Sequence, residues 1–467
     1  MRARSAAATS LPSAAVKHLP LALAFVLSLS LSLRAQAPEW IDKVDAIVAA
    51  RVAKPDAVGF SVGIAQRGKV LLEKGYGLAE AEHDVPATAT TRFRIGSITK
   101  QFTAAAIVRA VEQQKLDLDD DLSKFVPDFP LQGKKVSIRQ LLNHSSGIPS
   151  YTDVGAEWAK VQPLELSHQE LLALVAGKPF DFEPGAQWSY NNTGYYLLGM
   201  VLEKVFGKSY AQVVQDELCA PLQLAHTRYD VSQELIKGRA QGYGFADGKR
   251  ANDALLGMSQ PGAAGALLST GGDLVRWSMA LAGGKVVTAA NYTRMTTPLV
   301  LGNGRDTGYG FGLMVGEFSG QRVVQHGGGI HGFNSMLLHV VPADLHIAVI
   351  SNSERASADK LAQDLTRAVL GVAKFVAKDD AIPADLLAAL PGTFTLPDVG
   401  MDLAITAKDG KLFAKGQAEG QGAFRLLFQG EREFRAAFDH EIKVVFTADG
   451  KQLTLHQGGG VFAGTRQ

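Results

Sequence analysis

Cysteine is nearly absent: Cys219 stands alone in 467 residues. No disulfide can form within the chain, and no cysteine-based zinc or iron–sulfur centre is possible. An excess of one charge is also missing, with 47 Lys and Arg against 46 Asp and Glu. Nucleic-acid binders normally carry a basic excess or stripe, so no nucleic-acid partner is expected. The 11 histidines contain no His-Glu-x-x-His or His-x-His pair, and no metal site is expected from them. Asp119-Asp120-Asp121 reads as a solvated loop, since a calcium site needs more ordered oxygen ligands than the sequence offers. With 46% hydrophobic and 20% charged residues, the chain is neither disordered nor fibrous, and it is long enough for a sizeable core. Glycine is plentiful, at 49 residues, which points to many turns and close backbone approaches.

Near the start lies an uncharged run, Leu19–Leu33, preceded by Arg2, Arg4 and Lys17 and followed by Ala35 and Ala37. It reads as the core of an export signal over residues 1–37, too short for a comfortable membrane span. The alternative is a retained anchor. The expected location is therefore periplasmic or secreted, with no stable membrane span once the signal is gone. Its removal takes Arg2, Arg4, Lys17 and Arg34 and no acidic residue, which leaves a slight acidic excess and still no polyanion partner.

Apolar periodicity predicts a helix over 40–52, then strands over Val58–Gln66 and Val70–Tyr76 around Arg67-Gly68-Lys69, a hairpin signal. A mostly helical middle runs from about 97 to 285. Strand-like runs return at Tyr309–Phe318, Arg322–Gln325, Asn334–Val341 and His346–Ser351, followed by a helix over Ala358–Ala373. Strands from both ends around a helical insertion predict one α/β (α+β) domain over 38–373, its sheet closed by the two termini. Residues 374–391 read as a linker. Over 392–467 short alternating runs such as Phe424–Phe428, Lys443–Phe446 and Gln452–His456 predict a small all-β domain.

Gly59-Phe60-Ser61-Val62-Gly63 matches the G-x-S-x-G elbow, which requires a strand, a sharp turn and a helix. Ser61 instead sits inside a β-run that continues to a hairpin, so it is a strand serine. Ser97-Ile98-Thr99-Lys100 differs. Ser97–Val108 is apolar and Ala-rich, with Lys100 its only charge, and reads as a buried helix. Lys100 lies one turn beyond Ser97 on the same face. Burial lowers a lysine's pKa, so Lys100 could take the serine proton. The competing reading makes Ser97 an N-cap and lets Lys100 reach the surface. Tyr190-Asn191-Asn192 precedes a helix starting near Thr193; a tyrosine can relay protons and an Asn amide can orient a lysine and a substrate. Here the competing reading is a packing tyrosine with Asn192 as N-cap. His326-Gly327-Gly328-Gly329 closes a strand-like run, where glycines on an edge leave room for substrate and a backbone N–H could serve an oxyanion. Cys219, in an apolar stretch, reads as a buried small hydrophobe.

With these stretches, the chain resembles the serine β-lactamase/penicillin-binding-protein superfamily, on the branch of class C β-lactamases, D-alanyl-D-alanine carboxypeptidases, D-amino-acid amidases and related esterases. The resemblance is carried by Phe93 to Lys100, Leu141-Leu142-Asn143-His144-Ser145-Ser146-Gly147-Ile148, Pro184-Gly185 through Tyr195, Gly265 to Thr270 and His326-Gly327-Gly328, and it covers about residues 40–372. It implies an antiparallel β-lactamase-like sheet flanked by helices with a helical subdomain, and acyl-enzyme chemistry without a cofactor. It makes Ser97 the nucleophile, Lys100 its base partner, Tyr190 a general base/acid and Asn192 a positioning amide, with the N–H groups of Ser97 and Gly329 as oxyanion hole and Asn143–Gly147 as scaffold. The tail at 392–467 is similar to small β-barrel-like domains appended to such enzymes. The implied substrate is a small ester or amide, or a D-amino-acid peptide. The alternatives are a D,D-carboxypeptidase, a class C-type β-lactamase, or a non-catalytic sensor acylated once. One departure stands out: the family often has Lys-Thr-Gly where this chain has His326-Gly327. Imidazole is expected to offer a cation only part of the time near neutral pH, with His331 another loop residue of the site.

Ser97→Ala is expected to abolish turnover and Ser61→Ala to retain most of it. A fluorophosphonate adduct mapped to Ser61 would reverse the assignment.

Overall fold

The computed structural model describes residues 39–397, 401–416, 422–457 and 460–467; the expected signal segment lies outside them. Among the described residues no helix is long and apolar enough to cross a membrane. Helix α1 (Trp40–Val52) leads into β1 (Gly59–Gln66), β2 (Lys69–Glu80) and the short β3 (Val85–Pro86). Far along the chain follow β4 (Met314–Phe318), β5 (Gln321–Ile330), β6 (Phe333–Val340) and β7 (Leu345–Ser351). They form one seven-stranded sheet in the order β3-β2-β1-β7-β6-β5-β4. All its pairings are antiparallel. The two ends of this body thus meet at the β1–β7 pair, as the strand pattern predicts.

Period-two alternation explains the layering. Phe60, Val62, Ile347 and Val349 join Val44 and Val48 of α1 in one core, together with Leu361 and Leu365 of a late helix, Ala358–Leu370. On the other face, Ala348 and Ile350 join the core of the helical region. There the helix Gly271–Ala282 lies so close to β1 that a Cβ on Gly63 would meet the Gly271 carbonyl oxygen at 2.0 Å. Ser61 is buried and its Oγ accepts from the Gly271 N–H at 2.9 Å. The G-x-S-x-G match is therefore a packing contact between a strand and a helix, not a nucleophile elbow.

One strand expectation fails in part. Tyr309–Leu313 folds back on itself, with Tyr309 bridging Met314, and only Met314–Phe318 pairs with β5. Gly312 turns the chain at φ +69, and a Cβ there would sit 2.6 Å from the Lys100 carbonyl oxygen. The strand is interrupted so that this segment can lie against the helix carrying Lys100.

The tail is a closed eight-stranded antiparallel barrel, which leaves no exposed strand edge. The stretch expected as a linker is not a plain spacer. It contains a short helix, Ala384–Ala389, and Leu386 and Leu390 enter the barrel core beside Phe394 and Phe434. Composition rich in Ala, Asp and Pro concealed a helix that plugs the barrel. The barrel meets the body where Arg367, 6% exposed, pairs with Glu441 at 2.8 Å. Cys219 is buried, and burial pushes its thiol up to about 12, an inert packing residue.

Because the barrel has its own core, Leu390→Ala should cost about 2–5 kcal/mol locally. Differential scanning calorimetry should show an earlier barrel transition, with fluorophosphonate labelling of the body unchanged. Loss of labelling together with that transition would show that the two cores stand or fall together.

Candidate active site

Gly96 makes the site possible. It takes φ +50, and a Cβ on it would press on the Gly329 backbone at 3.0 Å. The chain turns there, runs through one 3-10 turn over Gly96–Ile98 and enters α2 (Thr99–Glu112). Every residue from Thr99 to Ala106 is buried, so small alanines are what the surrounding elements admit. Ser97 is half-buried at the head of this helix, and Lys100 is fully buried one turn later.

The Lys100 Nζ has three oxygen neighbours: Ser97 Oγ at 3.0 Å, Asn192 Oδ1 at 2.8 Å and the Ala264 carbonyl at 2.9 Å. Burial pushes its pKa well below the usual lysine range. A neutral amine fits this set well: it donates to the two carbonyl-type oxygens and accepts from the Ser97 hydroxyl. Asn192 is fixed from the other side, its Nδ2 donating to Thr152 Oγ1 at 3.1 Å. The helix that opens at Asn192 runs to Phe206, and its N-cap is Asn191, whose side chain accepts from the Gly194 N–H. That frees Asn192 for Lys100.

Tyr190 lies beside the pair, with Lys100 Nζ 4.7 Å from its ring centroid. Burial raises its pKa, and contact with the Ser97 hydroxyl opposes that rise. Behind Tyr190 stands His144, its ring centroid 4.5 Å away and its Nδ1 accepting from the Asn191 N–H at 3.1 Å.

The glycine-rich stretch lies inside β5, which extends through it to Ile330. β4 ends its pairing with Met314 opposite Gln325, so the outer edge beyond is not covered by β4. Gly328 closes on the Ile95 carbonyl, 2.1 Å from where a Cβ would sit, and Gly327 is half-buried. Gly329, Ile330 and His331 reach the cleft, a cavity of about 380 Å³ that also takes in Ser97 and Asn192.

His326 does not behave as expected. It is 3% exposed, with Tyr309 Oη 2.9 Å from Nε2 and the Gly327 carbonyl 2.6 Å from Nδ1. The Gly327 carbonyl can only accept, so Nδ1 carries a proton, while the Tyr309 hydroxyl can donate to Nε2 or accept from it. Burial, reinforced by Lys100, pushes its pKa down to about 3. The part-time cation expected from the sequence is thus absent near neutral pH, because burial disfavours a charged ring here.

Sequence reasoning missed the cleft's outer wall. Tyr151, Thr152, Trp158, Leu256, Phe333 and Glu354 line it. Trp158 is held by its Nε1–H donating to Gln260 Oε1 at 2.8 Å, while the Gln260 amide donates to three carbonyls of 161–164. The Asn143–Gly147 motif could have drawn attention to Tyr151 just beyond it; no local pattern marks Trp158 or Glu354. Among the lining residues there is no lysine or arginine, and no trio of metal-ligating side chains.

A buried lysine with no carboxylate partner, placed one turn from a serine and roofed by a glycine-bearing strand, fits serine hydrolases of the β-lactamase and penicillin-binding-protein superfamily. The chain belongs to the beta-lactamase family, whose profile matches residues 44–371. It is similar to penicillin-binding protein 4* of Bacillus subtilis, 27% identical over 427 residues, covering 85% of this chain and 92% of that one. Protein flp of Staphylococcus aureus is 35% identical over 205 residues, 43% of this chain and 41% of its own length. Among solved structures, the octameric penicillin-binding protein homologue of Pyrococcus abyssi superposes with TM-score 0.65 at 23% identity, covering 91% of this chain and 99% of its own. A D-stereospecific amidohydrolase from Streptomyces sp. gives TM-score 0.60 at 28% identity, with 70% of this chain and 97% of that one covered.

The state of His326 has a measurable sign. Its folded pKa lies below the unfolded value of about 6.5, so the unfolded chain takes up the proton first. Its contribution to stability is lost as pH falls from about 6.5 towards 3. Imidazole NMR signals of His326 should not titrate between pH 5.5 and 8.5; a midpoint inside that window would refute the buried neutral ring.

Proposed function

We propose that this chain is an exported hydrolase that forms an acyl-enzyme at Ser97 with neutral or amine-bearing esters and amides, D-amino-acid amides among them. The observation that carries this reading is the Lys100 amine, 3.0 Å from Ser97 Oγ, with two carbonyl-type oxygens as its other hydrogen-bond partners. Lys100 takes the Ser97 proton as the hydroxyl attacks the substrate carbonyl. Tyr190, kept protonated by its raised pKa, hands a proton to the leaving group and takes one from the deacylating water. The N–H groups of Ser97 and Gly329 hold the oxyanion. No step requires a cofactor. The export reading rests on the Leu19–Leu33 run.

Substrate charge follows from the cleft. With His326 neutral and no Lys or Arg on the lining, a substrate carboxylate finds no fixed cation. A charge-assisted hydrogen bond is worth about 1.5–3 kcal/mol, about ten- to a hundredfold in rate. Glu354 on the wall is exposed and has Arg355 4.0 Å away, and it remains open to a positive group of a substrate. The D-stereospecific amidohydrolase and a D-amino acid amidase of Ochrobactrum anthropi (TM-score 0.63, 24% identity, 71% of this chain and 99% of that one) support amide substrates. The relation to penicillin-binding protein 4* supports a D,D-peptidase as second reading.

Two measurements decide. kcat/KM for a neutral p-nitrophenyl ester should exceed that for a cephalosporin, and the gap should not change between pH 5.5 and 8.5 in the manner of a titrating histidine. Cephalosporin turnover above that of every ester and amide tested would make the protein a β-lactamase, and stoichiometric acylation without release would make it a sensor. Acylation should also rise with pH as Lys100 loses its proton, and Lys100→Arg, cationic throughout, should lower kcat/KM by about 10²–10⁴-fold. A wild-type-like rate in Lys100→Arg would remove the lysine from the mechanism.

A further inference from the structure

The hairpin from β6 to β7 carries a cluster that hydrolysis leaves unused. His339 and His346 pair directly across the two strands, their rings stacked at 4.1 Å between centroids. Cross-strand partners hold their Cβ atoms about 4.5–5.5 Å apart, a spacing from which two imidazoles can reach one ion. The turn between the strands adds Asp344, whose Oδ1 lies 3.1 Å from His346 Nε2 and 3.9 Å from His339 Nε2. The ligand atoms of all three residues lie within 4.8 Å of one another. Around a zinc ion with ligands at about 2.0–2.2 Å, tetrahedral neighbours stand about 3.4 Å apart, so modest side-chain rotation converts the cluster into a coordination shell.

A second observation points to a ligand. His339 is 6% exposed, yet neither of its ring nitrogens has a hydrogen-bond partner in the protein. Buried polar groups are normally paired, and an unpaired one destabilises the fold. His346 differs: its Nδ1 is held by Ser278 Oγ at 2.8 Å, the kind of outer contact that orients a metal-bound imidazole and leaves Nε2 directed at Asp344. Asp344 and His339 border a cavity of about 650 Å³, which gives an entry route and room for water ligands. Arg276 on the same wall is neutralised by Glu73 at 2.7 Å.

We propose that His339 Nε2, His346 Nε2 and Asp344 Oδ1 form a binding site for a zinc-type divalent transition-metal ion, with solvent completing the coordination. Imidazole and carboxylate ligands suit zinc, nickel or copper better than calcium or magnesium, which take all-oxygen shells. The ion acts as a staple for the hairpin, not as part of hydrolysis. In register, Gly329 faces Asn334, and His339 lies five residues further along β6, about 17 Å at the strand rise.

The full-length protein, free of any purification tag, is titrated with zinc chloride against a chromogenic chelator and with cobalt chloride in the visible region. The expected result is one equivalent of zinc per chain, cobalt d–d bands, and a melting temperature raised by zinc and restored by chelator. His339→Gln and Asp344→Asn should each weaken zinc binding at least tenfold. Asn tolerates the left-handed backbone of Asp344 (φ 44), and the fully buried His346 is left intact, so these variants should fold. The absence of stoichiometric binding to wild type, or wild-type affinity in both variants, would overturn the site.

Discussion

The amine of Lys100 is the point at which three distant segments converge, and each is shaped to reach it without bringing a negative charge. α2 and the 3-10 turn before it supply the lysine and Ser97, the helix opening at Asn192 supplies an amide oxygen, and the 262–265 turn supplies the Ala264 carbonyl. The packing that holds these segments is close. A Cβ on Gly199 would sit 2.6 Å from that of Ala263, and Thr103 Oγ1 donates to the Ala263 carbonyl at 2.6 Å. Placing a carboxylate in this shell would hold the amine as a permanent ammonium; carbonyl dipoles orient the amine and leave burial to set its charge.

The same preference for uncharged forms extends across the centre of the site. Burial lowers Lys100, His144 and His326 and raises Tyr190 and Tyr309. Each of these groups is thereby biased towards its uncharged form, so the serine is surrounded by less charge than the same side chains would carry in water. Fixed N–H dipoles then act against a background of low dielectric, where they are strongest.

Local features were legible in the sequence. Ser97 and Lys100 are one helical turn apart, the run around them has no other charge, and the strand pattern at both ends places β1 beside β7. What escaped depended on tertiary partners. The charge of His326 is set by its burial in the assembled site, and Tyr309, which closes over it, lies in a segment whose apolar pattern suggested a strand until Gly312 turned it. Trp158 is positioned by Gln260, about a hundred residues later, and nothing near either residue announces the contact. The helix at Ala384–Ala389 is too short for periodicity to reveal, and only the barrel interior gives Leu386 and Leu390 a reason to be helical. His339 and His346 are seven residues apart, a spacing that no linear metal motif contains but that a hairpin register makes adjacent.

The pairing of β1 with β7 also constrains how the molecule can be made. Phe60 faces Ser351 and Gln66 faces Leu345, so the centre of the sheet joins segments nearly three hundred residues apart. Closing so long a loop costs entropy before any contact is gained, and such topologies fold slowly. While the chain is being synthesised, the β1–β2 hairpin emerges first with an apolar, unpaired edge and nothing to cover it. The sheet core cannot assemble until β7 is complete. A chain of this topology therefore stays open long after its first strands are made, and its late-closing sheet acts as a built-in delay between synthesis and folding.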